Sequence, residues 1–294
     1  MGSHPEKADK FGGFLISERL GVSSTAETLV AQRCDETTSG AKLVIKRALP
    51  TVAEDPALRS RFEAERALSL RLRHPNIVKS VESGERSGIP FWTMEFVRGF
   101  SLAVLRDRLI ERGQGASPQL VEHFAAQLAS ALGYLHNLPA EDGTDARYIH
   151  GDIRPENVLS DLEGNAKLVD FGAAVDLAKA EIRSLPLTFP PGYDSPEHGD
   201  PNRLSAKSDV FSVGIILGEL LLAERLRTRF ETPPRRTTEQ ELVCFNEKLV
   251  AHETSRLERG DRHAVKLVRE VRQMISREPE RRPLLESSRP GYCR

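Results

Sequence analysis

The stretch YIHGDIRPENVLSDLEGNAKLVDFG, residues 148–172, constrains this chain more than any other. It reads as strand, loop, strand, with Asp152, Asn157 and Asp170 on the loops. A strand ending in His-x-Asp and a second ending in Asp-Phe-Gly would gather two carboxylates and one amide oxygen. Hard oxygen ligands of this kind suit magnesium, which takes one or two carboxylates together with phosphate oxygens. Asp and Asn in loops are also common turn formers and caps, but the linked Asp-Phe-Gly weighs against that bland reading.

With 294 residues, 39% hydrophobic and 29% charged, the chain can bury a sizeable core as one large domain or two lobes. A formal net charge of -1 gives no global pull towards nucleic acid or an anionic membrane, so no nucleic-acid partner is expected and charged ligands must be met locally. Cys34, Cys244 and Cys293 are scattered, which argues against a disulfide framework or zinc site and for a reducing, cytoplasmic setting. The most apolar run, Val210 to Ala223, is interrupted by Glu219 and falls short of the ~20 residues a spanning helix needs. It reads as a buried core helix, and no membrane segment is expected.

Residues 1–10 have neither an apolar nor an Arg-rich targeting pattern and read as a disordered tail or an expression remnant. From Phe11 to Val97, FLISERLG, ETLVAQR, AKLVIKRAL, NIVKSVESGE and PFWTMEF read as strands. One helix interrupts them, starting at Asp55-Pro56 with Leu58, Phe62, Leu68 and Leu72 at largely helical spacing. From Ser101 the pattern turns helical, with Ser117-Pro118 a strong helix start. The segments 139–146 and TPPRRTTEQE read as exposed loops, and 284–294 as a loose end.

The catalytic-loop and Asp-Phe-Gly elements make the chain resemble the protein kinase family from about Phe11 to Pro283. That resemblance implies an α+β, bilobal protein kinase fold: a small β-rich N-lobe (11–97) with one main helix and a larger, mostly α-helical C-lobe (98–283). It implies ATP and Mg2+ (or Mn2+) as cofactors and a protein substrate. Asp152 would be the base that orients the acceptor hydroxyl, Asn157 and Asp170 the metal ligands, and Arg154 a positive charge for the γ-phosphate. LVIK makes Lys46 the contact to the α/β-phosphates, with Glu65 as its ion-pair partner and Glu63 an alternative. Gly21, Ser23, Val44, Met94, Glu95, Val97 and Leu159 would line the nucleotide site. GYDSPE resembles the end of the activation segment, Asp209 would bond the catalytic-loop backbone, and Arg282 would pair with Glu197.

Several positions depart from the family pattern. Where the family has G-x-G-x-x-G, this chain has GVSSTA, with Ser23 and Ala26 replacing two glycines; Val44 adds bulk where adenine should lie. Gly151 before Asp152 also matches small-molecule phosphotransferases similar to aminoglycoside and choline kinases. Gly151 carries no charge to receive a phosphate on the activation segment, where Ser184 and Thr188 are the candidate acceptors and Arg183 the nearest basic residue. Pro190 stands where a threonine is usual. The expected function is an ATP-dependent protein kinase acting on Ser/Thr, with a regulatory protein partner. The alternatives are a pseudokinase and a small-molecule phosphotransferase.

Overall fold

In the computed structural model, residues 9–34, 40–178, 192–226 and 238–284 are described. The remainder of the N-terminal tail, the start of the 232–241 connector, Ser184, Thr188, Arg183, Pro190 and Cys293 lie outside them. The chain divides into two compact units: one of Met1–His74 and Val78–Arg98, the other of Pro75–Ile77 and Gly99–Arg294.

The first unit contains β1 (Asp9–Phe11), β2 (Phe14–Val22), β3 (Ala26–Arg33), β4 (Leu43–Ala48), α1 (Pro50–Glu54), α2 (Pro56–Arg71), β5 (Ser80–Arg86) and β6 (Ile89–Glu95). Its strands make one six-stranded antiparallel sheet in the order β1-β2-β3-β4-β6-β5. Asp9 and Lys10, placed in the tail by sequence, pair with Ile16 and Leu15 in this sheet. Side chains alternate across a strand, so β4 serves two cores. Ile45 packs with Phe11, Phe14, Leu29 and Phe91, while Ala48, on the face shared with Val44 and Lys46, packs with Val52, Phe62 and Trp92. Helix α2 begins where the sequence predicts: Asp55 accepts the N–H groups of Ala57 at 2.8 Å and Leu58 at 3.2 Å, satisfying donors left open by the first turn. It buries Phe62, Glu65 and Leu68.

The second unit contains β7 (Gly99–Ser101), α3 (Leu102–Arg112), α4 (Pro118–His136), β8 (Tyr148–Ile149), β9 (Val158–Asp161), β10 (Ala166–Leu168), β11 (Val175–Asp176), α5 (Ala206–Leu222), α6 (Glu239–Glu258) and α7 (Arg262–Met274). Two small sheets, β10-β9-β7 and β11-β8, carry the loops of interest. The predicted strand at 76–85 starts later than expected, at Ser80, because Asn76 and Ile77 belong here. The Asn76 carbonyl accepts the Leu168 N–H at 2.8 Å, and its amide donates to Gln127 Oε1 and the Ala166 carbonyl, each at 3.0 Å. The connector also ends earlier than expected: Thr238 and Glu241 form a capping box at the start of α6.

Helix α5 is buried from Ser208 to Leu221, which accounts for its apolar run. A Cβ added at Gly218 would lie 2.8 Å from the Phe245 ring, so the missing side chain lets α6 approach the α5 backbone. Glu219 is tolerated because it has partners: Arg106 at 3.1 Å, the Tyr193 hydroxyl at 2.9 Å and the Leu226 N–H at 2.9 Å. Among the described residues no helix is long and apolar enough to cross a membrane.

Arg282 and Glu197 form a buried two-pronged ion pair at 2.5 and 2.9 Å. Ser208 adds a hydroxyl hydrogen bond to Glu197 at 2.8 Å. Burial alone would raise the Glu197 pKa, but its bonds to Arg282 and Ser208 outweigh that and hold it below the usual carboxylate value. A depressed folded pKa stabilises above the unfolded pKa, and the contribution is lost as pH falls through the folded value. Glu197→Gln, which leaves Arg282 buried and uncompensated, should therefore cost about 3–5 kcal/mol at neutral pH. Urea denaturation at several pH values should also show a weaker loss of stability on acidification than in the wild type.

Candidate active site

In the first unit Lys46 and Glu65 are both buried and meet at 2.5 Å. Lys46 sits in β4 opposite Thr28 of β3 and Trp92 of β6, and its ammonium lies 5.6 Å from the Trp92 ring centroid. Phe62 of α2 packs on the same ring at 5.0 Å, fixing the helix that supplies Glu65. Glu63 faces away and pairs with Arg66 at 2.6 Å, so Glu65 is the partner. Val44 is half-buried and sits opposite Met94 of β6. Glu95 ends that strand and accepts the Lys79 N–H at 2.9 Å, and Val97 follows, half-buried. Gly21 and Ser23 are exposed at the β2–β3 turn.

In the second unit the loop after β8 is suspended from α5. Asp209 Oδ2 accepts the His150 N–H at 2.9 Å and Oδ1 the Gly151 N–H at 3.0 Å. His136, at the end of α4, closes the third contact with its Nε2 2.8 Å from Oδ2. Sequence reasoning passed over His136; its place at the end of a predicted helix was the only signal. Burial alone would raise the Asp209 pKa, yet the bonds from His136 and the His150 backbone prevail and lower it. Gly151 has φ 77°, a left-handed backbone that glycine adopts without the penalty of a side chain.

Asp152 follows directly, its N–H donating to His150 Nδ1 at 3.3 Å. His150 is fully buried against Phe171, ring centroids 4.9 Å apart, with Nε2 3.3 Å from the Val169 carbonyl. Pro155–Asn157 form one 3-10 turn that returns Asn157 to Asp152. The Asn157 amide nitrogen donates to the Asp152 carbonyl and to Oδ2, both at 3.0 Å, which defines its amide oxygen as the remaining acceptor. Arg154 lies 3.5 Å from Asp152 and 3.8 Å from Glu156. Leu159 is half-buried in β9, opposite Lys167 and Ser101. Asp170 has φ 63°, an uncommon backbone for a residue with a side chain and a cost on the order of 1–3 kcal/mol.

Burial pushes the Asp152 carboxyl up, Arg154 and His150 pull it down, and the Asp170 charge pushes it up again; the net shift is upward. Asp152 and Asp170 thus sense each other's charge. Among the described residues no group of three or more His, Cys, Asp or Glu could hold a metal by itself. The donors Asn157 and Asp170 suit a hard cation that takes its other ligands from phosphate and water.

Comparison with known proteins accords with this arrangement. The family model described as protein kinase domain matches residues 16–288. The chain belongs to the protein kinase family. Among the curated relatives of this kinase chain is the "Probable serine/threonine-protein kinase" of Streptomyces coelicolor, 29% identical over 74% of the chain and 31% of the relative. Tyrosine-protein kinase MasK of Myxococcus xanthus is 28% identical over 72% of the chain and 33% of that protein. Serine/threonine-protein kinase PrkC of Bacillus subtilis is 32% identical over 58% and 24%. The chain therefore spans about a third or less of the length of these three relatives. The crystal structure of the Mycobacterium tuberculosis PknI kinase domain shares the fold, with TM-score 0.60, 20% identity and coverage of 95% and 94% of the two chains.

The kinase family works with ATP and a divalent metal, and its catalytic-loop aspartate must be ionised to accept a proton. Because the Asp152 pKa is raised, a reaction that needs this carboxyl ionised should rise with pH through a limb above the usual aspartate value. Arg154→Gln removes the largest lowering influence, so the limb in kcat/KM should move further up in pH. An unmoved or lowered limb would assign it to another group.

Proposed function

We propose that this chain is an ATP-dependent protein kinase that transfers the γ-phosphoryl group to a serine or threonine hydroxyl of a protein. The observation that carries the reading is the Asp152–Asn157 arrangement, in which the asparagine amide is committed to Asp152 and Asp170 lies within electrostatic range. In phosphoryl transfer the protein mainly positions reactants and stabilises charge. The acceptor oxygen bonds the γ-phosphorus, the bond from that phosphorus to the ADP oxygen breaks, and Asp152 accepts the hydroxyl proton. Lys46, held by Glu65, contacts the α/β-phosphates, and Arg154 contributes charge for the γ-phosphate. Gly21, Ser23, Val44, Met94, Glu95, Val97 and Leu159 form the nucleotide surfaces. Mg2+ or Mn2+, held by Asn157 and Asp170, would neutralise phosphate charge.

Relatives named as serine/threonine-protein kinases support the acceptor class; MasK, named a tyrosine-protein kinase, makes it worth testing. The pseudokinase reading draws on the altered turn at Ser23. The small-molecule phosphotransferase reading draws on Gly151, and the Glu197–Arg282 pair weighs against it. Incubation with radiolabelled ATP, magnesium and a protein substrate mixture should label serine and threonine on phosphoamino acid analysis. Asp152→Asn and Lys46→Met should each lower transfer by about a hundredfold or more while the proteins stay folded, and excess chelator should abolish labelling. Labelling by wild type no greater than by Asp152→Asn and indistinguishable from background would remove the enzyme reading and leave the pseudokinase one.

Control is proposed to come from a protein partner, another domain or expression level rather than from activation-segment phosphate, in a reducing cytoplasmic setting. Gly151 has no charge to receive such a phosphate, whereas a charge-assisted contact is what orders a phosphorylated loop. Phosphatase-treated and untreated protein should therefore turn over alike at saturating ATP. A loss beyond about tenfold, equal to roughly 1.4 kcal/mol, would count against this.

A further inference from the structure

The turn between β2 and β3 is closed by the side chain of Ser23. Its N–H donates to the Ala26 carbonyl at 2.7 Å, and its hydroxyl donates to the same carbonyl at 3.2 Å. The Ser23 Oγ in turn accepts the N–H of Ala26 at 3.1 Å and that of Thr25 at 3.3 Å. A hydroxyl has one proton and two lone pairs, so this one is fully engaged within the turn. Thr25 and Ala26 are buried while Ser23 is exposed, leaving Ser23 Oγ as the oxygen that satisfies both amides.

Two successive backbone N–H groups converging on one oxygen form a concave donor pair of the kind that receives anion oxygens. In a phosphate-covering loop with glycine at this position, such amides would face an incoming oxygen directly. We propose that Ser23 is a positioning residue that keeps the turn closed in the nucleotide-free chain by standing in for a phosphate oxygen, and so lowers the affinity that the phosphates add to nucleotide binding. The inference rests on the reading of the chain as an ATP-dependent kinase and goes beyond it by assigning the loop's discrimination to one hydroxyl. A triphosphate reaches the Thr25 and Ala26 amides only by displacing Ser23 Oγ. The adenosine moiety, which needs neither amide, is indifferent to it.

The test is calorimetric binding of adenosine, ADP and ATP, with magnesium, to wild type, Ser23→Ala, Ser23→Gly and Ser23→Thr. Ser23→Ala and Ser23→Gly should raise the ratio of ATP to adenosine affinity by about five- to tenfold, the scale of one net hydrogen bond. The readout is the ratio: a general loosening of the unit would weaken adenosine, ADP and ATP together and leave the ratio where it is in wild type. Ser23→Thr retains the hydroxyl and should keep the wild-type ratio. An unchanged or lowered ratio in the alanine and glycine variants, with ATP bound by wild type, would overturn the inference and leave the kinase reading intact. Failure of all four proteins to bind any of the nucleotides would overturn both.

Discussion

The second unit hangs on one buried carboxylate. Asp209 collects the His150 and Gly151 amides and the His136 ring on its two oxygens, tying the loop after β8 to α5, which is buried from Ser208 to Leu221. An unpaired charge in that position would be costly, but three donors repay its loss of water. The carboxyl titrates below its usual value, so the contribution is present above the unfolded pKa and fades as pH falls through the folded one. From this fixed point Asp152 is the next residue, and one 3-10 turn returns Asn157 to it.

The first unit solves a comparable problem with Lys46 and Glu65. A buried ion pair is weak support for stability in itself, because desolvation offsets much of the attraction. Its value lies in placement. The ammonium is held between Glu65 of α2 and the Trp92 ring of β6, and Phe62 locks helix to strand through the same ring. A point charge on a flexible stem is thereby confined to one position.

The departures from the family pattern have local physical accounts. Gly151 adopts a left-handed backbone and contributes its N–H rather than a side chain. Ser195, before Pro196, sets its hydroxyl 2.7 Å from His198 Nδ1, and its N–H donates to the same nitrogen at 2.8 Å. Val44 keeps to the half-buried face of β4 that it shares with Lys46. Glu219 breaks an apolar run only in the linear sequence; in the fold it is enclosed by Arg106 and Tyr193.

The sequence by itself determined the family, the strands on either side of α2 and the caps at Asp55 and Ser117, because these depend on local spacing and side-chain chemistry. It also marked Asp152, Asn157, Asp170, Lys46 and Glu65 as the residues to examine, since their types and order are specific. It did not reveal that Asn76 and Ile77 leave the first unit to join the second, because the hydrogen-bond partners of Asn76, namely Gln127, Ala166 and Leu168, lie far along the chain. Nor did it point to His136 or show that Ser23 turns inward upon its own loop. Those outcomes depend on which donors and acceptors folding brings within about 3 Å of one another, and only the tertiary structure decided them.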